Sequence, residues 1–78
     1  MDVISYKGYE VHSRPQQSAE QWTVAIEIRR HRRDERPQGR PFSTQETCPT
    51  RKSAVQRGFI YGKQIIDGEI EGYSVRDL

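Results

Sequence analysis

The sequence contains a single cysteine, Cys48, so the chain can form no internal disulfide bond and no zinc site built from several thiolates. It also lacks any apolar run near the ~20 residues that cross a membrane, and residues 1–4 carry no basic or apolar export signal. Only 32% of the 78 residues are apolar, which limits the core to one thin layer. We therefore expect one small cytoplasmic domain, residues 1–78, without a membrane segment, a metal or another cofactor.

A recognisable catalytic set is missing as well. The two histidines, His12 and His31, are expected on exposed strand faces, where Glu10 or Glu27 would complete only a weak metal or acid–base site. Cys48 has no base within predictable reach, and the sequence has no glycine-rich phosphate loop. We therefore predict a protein that is not an enzyme, has no small-molecule substrate and acts by binding.

Three segments alternate apolar and polar residues with the period of two that is typical of half-buried strands. They are residues 9–12, 22–28 and 40–47. The second is the clearest, because four large apolar residues point to one face: Trp22, Val24, Ile26 and Ile28. Phe42 anchors the third segment, and Pro41 indicates that this strand lies at an edge of the sheet. Val3–Tyr6 is either a short strand or a loose arm, residues 14–21 are predicted as a loop, and residues 33–39 as a hairpin connection.

The apolar period changes to 3.6 after Pro49, which predicts a helix from about residue 50 or 51 to residue 67. Thr50 is a suitable N-cap, and Gly68 can end the helix in the left-handed conformation. Gly58 and Gly62 lie on the buried side, where each costs about 1 kcal/mol relative to alanine. We predict that they allow a close approach of the helix to the sheet, over the ring of Trp22; a groove for a partner is the alternative.

These elements predict an α+β fold in the order β-β-β-α. One C-terminal helix packs on one face of an antiparallel sheet of three or four strands. The ordered core spans about residues 3–67, and the tail, residues 69–78, is either flexible or a short extra strand.

The charge distribution points to a partner. Residues 29–40 contain six arginines against Asp34 and Glu35, although the net charge of the whole chain is only +2. The candidate nucleic-acid-binding residues are Arg29, Arg30, His31, Arg32, Arg33, Arg36 and Arg40. Guanidinium groups at the tip of a hairpin suit phosphates and guanine edges. The alternative is a solvated turn whose arginines prevent edge-to-edge aggregation.

A second surface is predicted on the helix. Ile60 falls in the middle of the polar face of the helix, and Tyr61 lies at its boundary. A lone exposed isoleucine is ordinary, and Tyr73 or Val75 of the tail could cover it. The alternative is an interface with another protein or with a second copy of the chain.

The order of three strands and a helix, with a tryptophan at the start of the second strand, resembles the AP2/integrase-type DNA-binding domain. The matching segments are residues 22–26, 42–44 and 50–54. The chain is also similar to small bacterial proteins of the same layout whose function is unknown. The AP2 resemblance implies a sheet that lays its exposed face in the major groove, with Arg29, His31 and Arg40 as contacting residues. The sequence departs from that pattern by placing Glu10 and Glu27 on the same face. We expect a binding protein that contacts nucleic acid through the arginine-rich hairpin, or alternatively a protein-interaction or homodimerisation module.

Overall fold

The computed structural model describes residues 2–30 and 38–75, and these form five strands and one helix. The strands are β1 (Val3–Tyr6), β2 (Tyr9–Ser13), β3 (Gln16–Ser18), β4 (Gln21–Arg30) and β5 (Gln38–Cys48). The helix, α1, spans Arg51–Ile66. The predicted hairpin connection at residues 33–39 falls largely outside the described residues, and its last residue, Gly39, belongs to β5.

The sheet is antiparallel, and β4 is its central strand. β5 pairs with β4 from Arg30 to Trp22, so β2 and β3 both lie on the opposite edge of β4. β1 pairs with the outer edge of β2 through a tight turn in which Lys7 and Gly8 both have positive φ, 50° and 84°. Two successive positive φ angles are the mark of a type I′ turn, whose twist suits a two-residue hairpin.

The fold class was predicted correctly, but the number of strands was not. The expected loop at residues 14–21 contains β3, and Val3–Tyr6 is a strand, so the sheet has five strands. Pro15 lacks a backbone N–H and separates β2 from β3, while the Arg14 amide still donates to the Ala25 carbonyl at 2.8 Å. β3 is polar and exposed on every residue, so no alternating pattern marks it in the sequence.

The helix begins and ends where the sequence predicted. The Thr50 hydroxyl accepts a hydrogen bond from the Ser53 amide at 3.1 Å, as an N-cap does. At the other end Gly68 has a φ of 76°, its amide donates to Ile65, and the Glu69 amide donates to Gln64. This pair of hydrogen bonds is a Schellman motif, which satisfies the last carbonyls of the helix.

The core lies between α1 and one face of the sheet. One buried cluster joins three strands, the helix and the chain beyond it: Val11, Ile26, Ile28, Phe42, Ile65 and Val75. Val24, Ala54 and Val55 are buried as well. Val75 is only 4% exposed, so residues 69–75 fold back onto the domain, and they form no strand. Within the described parts of the chain, no helix has the length and apolar character needed to cross a membrane.

The predicted close approach of the helix to the sheet is confirmed, but its partner is different. A Cβ on Gly58 would overlap the hydroxyl of Ser13 and lie 2.9 Å from Ile26 Cγ2. A Cβ on Gly62 would lie 2.5 Å from Val11 Cγ1. The helix therefore crosses β2 and the middle of β4. Trp22, which lies near the start of β4 opposite Cys48, is not among the nearest neighbours of either glycine.

Candidate functional site

The strand register divides the predicted arginine cluster between the two faces of the sheet. Arg30 and Arg40 lie on the face that carries the helix, because Arg40 pairs with Ile28 and side chains alternate along a strand. Arg29 lies on the other face, which we call the open face. The remaining candidates lie outside the described residues: His31, Arg32, Arg33 and Arg36.

The open face carries paired charges. The Arg29 side chain donates to Glu27, and Arg14 approaches the same carboxylate at 3.7 Å. Nearby, His12 Nε2 lies 3.0 Å from Glu10 Oε1. Two arginines and two glutamates therefore balance one another on this face. Such a face does not attract a polyanion strongly, so it is a poor surface to lay along a DNA groove.

A different group of cations lies at the end of the sheet where β4 ends and β5 begins. Tyr9 pairs with Arg30, whose guanidinium carbon lies 5.7 Å from the centre of the Tyr9 ring. Tyr6 lies in the neighbouring strand, β1. The ammonium groups of Lys7 and Lys63 lie 5.3 and 5.5 Å from the centre of its ring. Each distance is within the range of a cation–π contact. We define the basic end by the four cations that lie here on the helix side of the sheet: Lys7, Arg30, Arg40 and Lys63.

Asp67 fixes the geometry of the basic end. Its carboxylate accepts a hydrogen bond from the Tyr6 hydroxyl at 2.7 Å and forms an ion pair with Lys7 Nζ at 2.5 Å. These contacts lower the pKa of Asp67, with the hydrogen bond from Lys7 as the main cause, and they raise the pKa of Lys7. The hydrogen bond to Asp67 also raises the pKa of Tyr6. These contacts attach the β1–β2 turn to the end of α1. Lys63, in the last turn of that helix, lies next to the Tyr6 ring.

The described tail residues also reach the basic end. Arg40 Nη1 donates to the Ser74 carbonyl at 2.8 Å, and the Tyr9 hydroxyl donates to the Val75 carbonyl at 3.4 Å. The ring of Tyr73 packs edge-on against Phe42, with centroids 5.4 Å apart. The tail therefore runs beside the start of β5 and touches residues of the basic end.

The predicted helix surface is partly exposed. Ile60 is 47% exposed, so the tail leaves it largely uncovered. Tyr61 is half-buried and packs edge-on against Tyr73, with centroids 6.3 Å apart. Among the described residues, the exposed large apolar side chains are Ile60 and Tyr73 at 41%. Ile60 precedes Tyr61 in the helix, and the ring of Tyr73 packs against Tyr61.

The other chemistry-bearing residues do not come together. His12 is half-buried beside Glu10, and Cys48 is a half-buried free thiol. Within residues 2–30 and 38–75, no three potential metal ligands of the His, Cys, Asp or Glu type form a cluster.

Sequence reasoning missed Lys7, and it did not predict that Lys63 lies next to the turn that carries Lys7. The signal for Lys7 was available, since two tyrosines flank a Lys-Gly turn. Nothing in the sequence places Lys63 beside that turn, because the contact depends on how far α1 extends over the sheet. Comparison with known proteins adds no further indication: no family model, curated protein or solved structure matches the chain.

Proposed function

We propose that the basic end binds the sugar–phosphate backbone of a nucleic acid. The observation that carries the proposal is the clustering of Lys7, Lys63 and Arg30 around two tyrosine rings. It occurs at the end of the sheet from which the arginine-rich segment, residues 31–37, continues. Cations that release condensed counterions on contact with phosphates supply most of the affinity in backbone binding.

The sequence next to this end adds to its charge. Residues 31–37 contain Arg32, Arg33 and Arg36 against two acids. The chain enters this segment from Arg30 and leaves it at Gln38, so its arginines follow directly on the basic end. We expect the cations of the basic end and these three arginines to contact several phosphates.

The same geometry favours contact with the backbone over recognition of bases. Base recognition by a sheet requires one face that presents several donors to the groove. Here Arg29 and Arg40 lie on opposite faces, and the carboxylates of Glu10 and Glu27 occupy the open face. We therefore expect weak dependence on nucleotide sequence and strong dependence on salt.

Charge reversal at two lysines of the same helix tests the proposal. Lys63 belongs to the basic end, whereas Lys52 is exposed in the first turn of α1, about 16 Å away at the rise of an α-helix. Lys63→Glu should weaken binding to short DNA and RNA. It should also reduce the slope of log affinity against log salt by about 1. Lys52→Glu makes the same change in net charge and should have a clearly smaller effect. Equal effects of the two variants would mean that only net charge matters, and would contradict a defined site.

A second candidate function is supported by the exposed apolar side chains of the helix and tail. Ile60 and Tyr73 are the exposed large apolar side chains among the described residues, and a partner or a second copy that packs on the helix would bury them. Ile60→Asp would disrupt such an interface, and Gln56→Asp, one turn away and also exposed, is the matched control. Sedimentation at high protein concentration distinguishes the cases. A monomer in wild type and in both variants would refute self-association.

A further inference from the structure

We propose that residues 69–75, which we call the strap, regulate the basic end by competing with nucleic acid for it. This inference rests on the proposed function and goes one step further, because it assigns a regulatory role to a segment that the binding site itself does not require. Nucleic acid would bind to the form in which the strap has moved away from Arg40.

The strap contacts residues of the basic end and a residue that positions them. Its Ser74 carbonyl accepts a hydrogen bond from Arg40 Nη1 at 2.8 Å. Its Val75 carbonyl accepts from the hydroxyl of Tyr9, the ring that lies under Arg30. Both contacts therefore involve groups of the basic end or groups that position it. A phosphate oxygen is a stronger acceptor for a guanidinium than a neutral carbonyl is, because the hydrogen bond is assisted by charge.

The strap is acidic. It contains Glu69 and Glu71, both exposed, and no basic residue. With the strap in place, two carboxylates accompany the segment that touches Arg40. Moving the strap away would carry these two carboxylates with it and would release Arg40 Nη1 from the Ser74 carbonyl.

Few buried contacts hold the strap on the domain. Val75 is its one buried residue, Ile70 is half-buried, and the other strap residues are exposed. The segment forms no strand, so its release would leave the pairing of the sheet intact. Segments with few buried contacts open at a small fraction of the free energy of global unfolding.

Gly72→Ala tests the inference by weakening the strap without touching the site. Gly72 has a φ of 86°, and an added Cβ would meet no atom within 4 Å, so the substitution introduces backbone strain and no steric overlap. The closed strap should become about five- to tenfold less populated relative to the open form. If binding requires the open form, affinity should rise by up to the same factor.

Ala19→Val is the matched control. Ala19 also has a positive φ, 54°, and lies in the turn before β4, at the opposite end of that strand from Arg30. The substitution strains a left-handed residue without touching the strap. Affinity for fluorescein-labelled short single-stranded DNA and duplex DNA is measured by anisotropy at low salt for wild type, Gly72→Ala and Ala19→Val.

Tighter binding by Gly72→Ala alone, including binding that is detectable only in this variant, supports the strap as a competitor. Binding by the wild type with no gain of affinity in Gly72→Ala overturns the proposed competition by the strap, but it does not contradict the proposed function. Absence of binding by every variant overturns both.

A second variant and a second measurement keep the test independent of one substitution. Tyr73→Ala removes the ring contacts with Phe42 and Tyr61, and should also strengthen binding. By NMR, DNA added to the wild type should shift the Val75 methyl signals toward their positions in Gly72→Ala. Val75 signals that stay unchanged at saturation would show that the strap remains closed in the complex, and would contradict the inference.

Discussion

Substitution of Gly62 by alanine should destabilise the protein, although alanine is the better helix former. In an exposed helix the change would gain about 1 kcal/mol. Here the new Cβ would lie 2.5 Å and 3.0 Å from the two methyl groups of Val11 and 3.3 Å from Ile26 Cδ1. Val11 is fully buried and β-branched, so it cannot rotate away, and the helix has to move from the sheet. Over-packing costs about 1–3 kcal/mol, and a contact this close belongs at the upper end of that range. After subtraction of the gain in helix propensity we expect a net loss of about 2 kcal/mol.

Urea unfolding followed by circular dichroism measures this loss. With a slope of about 1 kcal/mol/M for a small domain, the midpoint should fall by about 2 M. Gln56→Gly, at an exposed position of the same helix, measures the local helix propensity and should lose about 1 kcal/mol. Adding Val11→Ala to Gly62→Ala should make the two losses strongly non-additive, because the removed methyl groups leave room for the new one. Unchanged or greater stability of Gly62→Ala alone would refute the packing argument.

Three further predictions concern the ends of the helix and the strap. Thr50→Ala should lower the free energy of unfolding by about 1 kcal/mol through loss of the N-cap, and a change below the error of urea unfolding would contradict this. The pKa of Asp67 is lowered in the folded state. Its contribution to the free energy of unfolding is therefore present above the pKa of the unfolded state, about 3.9, and disappears as the pH falls through the pKa of the folded state. Asp67→Asn, which loses the ion pair with Lys7, should therefore show a shallower loss of stability below about pH 4, and parallel wild-type and variant curves would argue against it. Val75→Ala should cost about 1–2 kcal/mol by urea unfolding, because this side chain belongs to the core; a neutral effect would mean that the strap does not pack in solution.

Local signals made the helix predictable from the sequence. Thr50 and Gly68 mark the ends of α1, and the spacing of Gly58 and Gly62 indicates a face that approaches the sheet closely. The residues under those glycines could not be predicted, since they depend on which strand the helix crosses. Trp22 was expected there because it is the largest apolar residue of its strand, but the helix lies over β2 and Ile26.

Pairing between distant segments explains what else the sequence did not predict. β3 has no apolar alternation, and it is a strand because its backbone pairs with the free edge of β4 beyond β2. The basic end was predicted only in part, because Lys63 reaches Tyr6 through the docking of α1. The predicted role of Arg40 on the sheet face was based on sequence order alone. The register with Ile28 instead places this side chain on the helix side, against Ser74.

The most direct test of the central claim is an NMR titration of labelled protein with short duplex DNA and single-stranded RNA at about 50 and 200 mM salt. We expect shifts at Lys7, Arg30, Arg40 and Lys63 and in residues 31–37, with much weaker binding at the higher salt and little dependence on nucleotide sequence. Shifts confined to the open face around Glu27, or no shifts at low salt, would contradict nucleic-acid binding by the basic end.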